Sequence, residues 1–259
     1  MPTTPPISRP TLAFFRYITR RYFRRHFHAV RITNPHILTT QPGPLIIYAN
    51  HTSWWDPMVS TLLASKLLPQ KSHYAPMDAV SLARYRILSR IGIFPIDLDS
   101  ARGAVQLLRT AAAIFETNGI LWITPQGRFA DPRERPLAFK PGLAALAARH
   151  PNVPILPLAI EYPFWTERLP EVLLHFGAPL TAASDAQLES ALLTTMNDLA
   201  TLSIARDPRA FTTLFQGGSG AGGIYHLGRK LWARLRNKPF QSDHVPPPDA
   251  PENQPRMRS

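Results

Sequence analysis

Residues 44–57 read PLIIYANHTSWWDP, Pro44 to Pro57. The apolar run Leu45–Ala49 has the length and composition of a short buried strand. Asp56-Pro57 starts a helix well, because Asp caps a first turn and Pro fits its first position. Strand, turn and helix therefore follow one another within 44–68. Between them stand His51 and Asp56, five residues apart and beside Trp54 and Trp55.

The same alternation continues outward. A helix is expected over 76–90, a strand in IGIFPID (91–97), and a helix over 101–119 ending at Gly119 as its C-cap. ILWIT (120–124) reads as a strand, 141–149 as a helix, VPILPLAI (153–160) and EVLLHFG (171–177) as strands, and 185–206 as a closing helix. Strands alternating with helices predict an α/β domain with a mostly parallel central sheet flanked by helices.

A chain of 259 residues is long enough to bury a full core. With no cysteine, disulfides, thiolate metal sites and a Cys nucleophile are excluded. A net charge of +12 favours anionic partners. The N-terminus MPTTPPISRP lacks the order of a signal peptide, and no apolar run reaches the roughly 18 residues of a spanning helix. A cytoplasmic protein is expected, peripheral on the inner face of the membrane.

The membrane expectation comes from residues 11–31, TLAFFRYITRRYFRRHFHAVR, which carry six Arg and no acid. Wound at about 100° per residue, Leu12, Phe15, Ile18, Thr19, Tyr22, Phe23, Ala29 and Val30 gather on one arc. Arg16, Arg20, Arg21, Arg24, Arg25 and Arg31 take the remainder. Such a helix suits a lipid headgroup layer, and equally suits packing on its own domain with a solvated basic face. Near the other end, QGGSGAGG (216–223) contains the formal spacing G-x-G-x-x-G, but only one basic amphipathic helix and a Pro-rich tail follow. A dinucleotide site needs a βαβ unit and a later acid, so a linker is the better reading. The expected organisation is an N-terminal amphipathic segment at 1–33, a main domain at 34–210, a Gly-rich linker at 211–223, and a basic helix with disordered tail at 224–259.

His51 with Asp56 gains weight from later segments in fixed order: IGIFPIDLD (91–99), WITPQGRF (122–129), FKPG (139–142) and VPILPL (153–158). Over roughly residues 34–180 the chain resembles the glycerolipid acyltransferase family of 1-acylglycerol-3-phosphate acyltransferases. That family shows NHx4D, G-x-x-F-I-D-R, F-P-E-G-T-R, F-K-x-G and V-P-x-x-P. The resemblance implies a glycerol-3-phosphate acyltransferase-like α/β fold. It implies acyl transfer from acyl-CoA or acyl carrier protein, as co-substrate, to a lysophospholipid-type hydroxyl, with no cofactor. His51 would be the general base and Asp56 the carboxylate that orients it, a division of labour that suits an imidazole titrating near neutrality. On a straight helix, residues five apart diverge by about 140°. The pair can meet only if His51 ends the strand and the chain turns before Asp56.

The resemblance further implies acceptor binding by Gln126, Gly127, Arg128 and Lys140, and an acyl-pocket or structural role for Trp54, Trp55, Gly92, Phe94, Pro154 and Pro157. Backbone N–H groups around Gly127, or at a helix N-terminus, are candidate oxyanion donors. No metal is expected, since no HExxH or similar spacing occurs. The second and third motifs depart from the family. Leu98 stands where the family has Arg; Gln126 replaces the Glu, Arg128 the Thr and Phe129 the second Arg. An Arg that clamps a phosphate is not replaced conservatively by Leu or Phe. Hence a second reading keeps the chemistry on a non-phosphate acceptor, such as a glycoside, carotenoid sugar or amino-lipid. A third makes the chain a non-catalytic lipid- or nucleic-acid-binding protein, although no nucleic-acid-binding motif appears and no nucleic-acid partner is expected.

Overall fold

A computed structural model describes residues 3–98 and 100–218. The expected basic helix and tail at 224–259 lie outside the described residues, as do residues 219–223. The first helix, α1 (Arg9–His26), leads into β1 (Ala29–Thr33). Next come β2 (Leu45–Ala49), α2 (Asp56–Leu67), β3 (His73–Asp78) and α3 (Ala79–Arg84). A 3₁₀ turn (Arg86–Arg90) joins α3 to β4 (Ile93–Ile96), followed by α4 (Ala101–Glu116), β5 (Ile120–Ile123) and α5 (Gly142–Arg149). The chain closes with β6 (Ile155–Glu161), β7 (Val172–Phe176), α6 (Asp185–Ala205) and β8 (Thr212–Gln216).

The strands form one eight-stranded sheet in the order β4-β3-β5-β2-β6-β7-β1-β8. Pairing is parallel except between β6 and β7 and between β1 and β8, so the mostly parallel α/β expectation is met. β2 lies between β5 and β6, and all five of its residues are buried. Its side chains alternate between two cores. Leu45, Ile47 and Ala49 join Phe23, Phe27, Val59, Leu62 and Leu63 from the α1–α2 side. Ile46 and Tyr48 join Leu107, Ile114, Leu143, Leu146, Leu188 and Leu192 from α4, α5 and α6. The Tyr48 hydroxyl donates to the Leu188 carbonyl at 2.9 Å, which satisfies the one polar atom that β2 sends into that core.

Several boundaries differ from the sequence reading. The N-terminal helix stops at His26, and Ala29 and Val30 lie in β1 rather than on a helical arc. Strand β1 fills the gap between β7 and β8, where β-branched Val30, Ile32 and Thr33 bury more surface than a helix end would. A boundary at 33/34 would thus cut an interior strand from its sheet. The expected linker at 211–223 likewise begins with β8, antiparallel to β1. The Gly217 and Gly218 amides then donate to the His28 and Phe27 carbonyls at 2.7 and 3.1 Å.

The expected helix over 76–90 divides into the end of β3, α3 and the 3₁₀ turn. Pro76 is tolerated in β3 because pairing with β5 ends at Tyr74, leaving no ladder position for its missing N–H. Past α4 the left-handed residue is Asn118 (φ 58°), not Gly119. Gly119 is required for a different reason: a Cβ there would come within 2.8 Å of Ile114 and 2.9 Å of Tyr74.

Only part of the aromatic arc of α1 is turned outward. Phe23 is fully buried and stacks on Phe27, with Trp55 and Phe215 edge-on, so this arc packs on the domain. Phe14, Tyr17 and Tyr22 remain exposed beside Arg20, Arg21, Arg24 and Arg25. No helix among the described residues is long and apolar enough to cross a membrane.

Candidate active site

The loop that follows β2 is held from three directions. Asn50, buried beyond the strand end, donates to the Ile160 carbonyl at 3.0 Å and accepts the Ile160 amide at 2.9 Å. Its side chain thus imitates one more rung of the β2–β6 ladder. The His51 amide donates to Gln126 Oε1 at 3.0 Å, and its carbonyl accepts the Ala130 amide at 2.8 Å. The backbone at His51 is therefore fixed to the loop after β5 by both of its polar groups.

The chain then turns back. His51 Nδ1 lies 2.7 Å from Asp56 Oδ2, which also accepts the Thr52 and Ser53 amides at 2.9 and 3.0 Å. Asp56 opens α2 but does not cap it; its carboxylate serves the preceding loop, and Pro57 provides the first-turn conformation. Its second oxygen, Oδ1, accepts the Tyr162 hydroxyl at 2.5 Å. Asp56 is 2% exposed, whereas the His51 side chain keeps 17% exposure. A carboxylate oxygen can only accept from the imidazole, so the ring carries its proton on Nδ1 whenever it is neutral. Nε2, which makes no hydrogen bond among the described residues, is then a free base on a partly exposed ring.

Phe129 rests against this imidazole with ring centroids 4.4 Å apart and is itself 57% exposed. Ser53 Oγ accepts the Trp55 amide at 3.2 Å, a turn contact rather than the setting of a nucleophile. Beside the loop opens a cavity of about 910 Å³. Thr52, Ser53, Trp55 and Tyr162 line its inner side, with Phe27, Phe164 and Met196 among its apolar walls. Arg133 and Arg135 stand on its rim side, and burial pushes the Glu161 carboxyl there above its ordinary range.

The remaining sequence-selected residues scatter. Gln126 is buried and holds the His51 amide, so it acts on the base loop and not as part of an open acceptor clamp. The Gly127 amide donates to the Thr124 carbonyl at 3.0 Å and is not an available oxyanion donor. Gly127 adopts φ +64°, and the Lys140 methylenes pass where its Cβ would be. Arg128 forms a two-pronged pair with Glu134, Nη1 to Oε2 at 3.1 Å and Nη2 to Oε1, and points away from an acceptor clamp. Arg133 is likewise bidentate to Asp131.

Of the acyl-pocket residues, only Trp55 lines the cavity, where it meets Phe27 edge-on at 4.8 Å. Trp54 is 62% exposed, in edge contact with Trp55. Gly92 (φ +88°) and Phe94 sit at β4, on the sheet edge three strands from β2, and contribute tight packing. Pro157 lies within β6 opposite Tyr48, and Pro154 accepts the Ile46 amide just before β6. Both sit at or below the middle of the strand, away from the His51 end. Leu98 packs on the α4–α5–α6 core. Among the described residues no cluster of His, Asp and Glu could hold a metal ion.

Sequence reasoning missed Asn50 and Tyr162. Asn50 directly precedes the base, and its amide in place of a strand residue is the available signal. Tyr162 lies 106 residues from its partner, and nothing local marks it.

The acyltransferase family profile matches residues 29–161, slightly more than half of the chain. The protein belongs to the acyltransferase family. The matched span runs from β1 to the end of β6 and includes His51, Asp56 and Gln126. A crystal structure of the 1-acyl-sn-glycerophosphate (LPA) acyltransferase PlsC from Thermotoga maritima has a similar fold, with a TM-score of 0.53 at 16% identity. The similarity covers 74% of this acyltransferase and 79% of that chain. No curated protein matches the sequence significantly.

Proposed function

We propose that this acyltransferase moves a fatty acyl group from acyl-CoA or acyl carrier protein to the hydroxyl of a lipid-like alcohol, with His51 as base and Asp56 orienting it. One observation carries the reading: His51 Nδ1 is 2.7 Å from Asp56 while Nε2 is left unpaired among the described residues, on a loop whose next two residues, Thr52 and Ser53, line a cavity. Nε2 takes the hydroxyl proton as the alcohol oxygen attacks the thioester carbon. The C–S bond breaks as the tetrahedral intermediate collapses, and the imidazolium returns the proton to the departing sulfur. Asp56 stabilises the imidazolium between those steps. The apolar cavity beside Thr52 and Ser53 suits the acyl chain of the donor. The test is thiol release from oleoyl-CoA by a folded His51→Ala variant. Activity within tenfold of the unmutated protein would overturn the mechanism.

The acceptor reading divides on specific contacts. Glycerolipid transfer is supported by the family and by the fold shared with PlsC. A non-phosphate acceptor is favoured by the residues around the base. Phe129 covers the imidazole, Leu98 is packed into a core, and Arg128 and Arg133 are already neutralised by Glu134 and Asp131. Incubating the enzyme with oleoyl-CoA and, separately, lysophosphatidate, monoacylglycerol and an alkyl glucoside distinguishes them. Faster turnover of lysophosphatidate than of both neutral alcohols would remove the second reading.

Association with an anionic membrane surface is supported by charge segregation. Residues 1–96 contain twelve Lys and Arg but only two acids, Asp56 and Asp78. Asp56 is buried in the loop, and Asp78 caps α3 by accepting the Ser81 amide. The exposed Arg of α1 therefore lack acidic neighbours from this half of the chain, and Phe14 and Tyr17 stand among them. That combination fits the headgroup layer of an anionic bilayer.

A further inference from the structure

We infer that Tyr162 is a positioning residue for the base, and that it links the neighbouring cavity to the His51–Asp56 pair. The inference rests on the reading of His51 as the base.

Asp56 receives four donors. Three converge on Oδ2, from His51 Nδ1 and the Thr52 and Ser53 amides, and together they fix that oxygen within the loop. They leave Oδ1 to a single partner among the described residues, the Tyr162 hydroxyl at 2.5 Å. The carboxylate is almost wholly buried, so an unpaired Oδ1 would be costly and would let the group rotate about its own bond. Tyr162 is the first residue after β6, a strand paired with β2 from Ile155 to Leu158 and anchored to Asn50 through Ile160. The phenol thus transmits the register of the sheet to the plane of the carboxylate, and through it to the imidazole. Burial and the adjacent Asp56 charge both push the phenol well above its ordinary value, which keeps it a donor.

The same ring also lines the cavity. Tyr162 contacts Phe27, centroids 5.8 Å apart, and lines the space with Thr52, Ser53 and Trp55. An apolar chain lying there touches the ring whose hydroxyl holds Asp56. The charged or titratable side chains facing this space are His26 from the end of α1, Glu161 from β6, and Arg133 and Arg135 from the loop after β5. The hydroxyl also draws charge from the carboxylate. It therefore limits how strongly Asp56 stabilises the imidazolium, a limit that the pH–rate profile reads.

The test compares Tyr162→Phe with the unmutated enzyme and with His51→Ala, in oleoyl-CoA turnover with the best acceptor of the panel above. Tyr162→Phe is expected to lower kcat at least tenfold with KM values within about twofold, and to move the ascending limb of the pH–rate profile to higher pH. 3-Fluorotyrosine at position 162, a stronger donor of nearly the same shape, should move that limb to lower pH; it preserves the test should the Phe variant not fold. An unchanged limb in the fluorinated enzyme, or unchanged kcat and limb in a folded Tyr162→Phe enzyme, overturns the inference while an inactive His51→Ala leaves the base reading standing. An active His51→Ala instead removes the reading beneath both.

Discussion

The side-chain carbonyl of Gln126 accepts the backbone amide of His51 at 3.0 Å, across the 75 residues that separate β2 from the loop after β5. The contact sets where the base loop leaves the sheet, because the His51 carbonyl is held by Ala130 from that same loop. Gln126→Leu would strand a buried amide, at a cost of about 1–3 kcal/mol. The expected result is a melting temperature lower by several degrees and a kcat reduced at least tenfold, with acceptor KM little changed. A rise confined to acceptor KM would assign Gln126 to acceptor binding instead. Thermal unfolding and steady-state kinetics on one preparation make the distinction.

Phe129 occupies the position where the family pattern carries Arg, and its ring lies on the base. Phe129→Arg brings a cation to that edge, next to the existing Arg128–Glu134 pair. If the cover selects for uncharged acceptors, the variant should gain at least tenfold in lysophosphatidate turnover relative to monoacylglycerol. The ratio of the two initial rates is the measurement, and a ratio unchanged from the unmutated enzyme counts against a selecting role.

His73 gives the fold an acid limit. Its Nε2 donates to the Leu68 carbonyl at 2.9 Å and its Nδ1 accepts the Trp122 indole N–H at 3.1 Å, an arrangement only the neutral ring can make. Burial, helped by the Arg16 and Lys71 charges, lowers its pKa to about 4. The unfolded chain takes up this proton near pH 6.5, the folded chain only near 4, so stability falls as pH drops through that window. The loss amounts to at most about 3 kcal/mol. Urea titrations at pH 7 and pH 4.5 should show it, and His73→Gln should flatten the difference.

Phe14 and Tyr17 are the two most exposed aromatics of α1, among Arg20, Arg21, Arg24 and Arg25. Phe14→Ser with Tyr17→Ser, and separately Arg20→Glu with Arg24→Glu, should each lower flotation on phosphatidylglycerol-containing vesicles at least fivefold. Neither should alter melting temperature by more than a few degrees, since none of these side chains is buried. Equal flotation on neutral vesicles would argue against the electrostatic part of the reading.

The contact between His51 and Asp56 is legible because it depends on six consecutive residues and a turn. So are the central strands, whose apolar runs need no partner to be noticed. What escapes is whatever depends on remote pairing. Ala29-Val30-Arg31 continues the helical spacing of the preceding stretch and becomes a strand because β7 and β8 flank it. Thr212–Gln216 is an edge strand with its first two residues exposed, so it carries little apolar signal. Arg128 and Arg133 look like available cations until the fold sets Glu134 and Asp131 against them. Tyr162 follows a clear strand, but its importance comes from a carboxylate on another element.

The placement of β1 bears on how the chain is made. This strand leaves the ribosome well before the residues it pairs with, 172–175 and 212–216. Until those are synthesised, Ala29, Val30 and Ile32 have no sheet to join, and α1 has an apolar side without its full cover. A nascent chain of this enzyme therefore shows both a greasy strand edge and a basic aromatic helix until those later residues are made. A chaperone or a lipid surface that shields this region early would act before any active site exists.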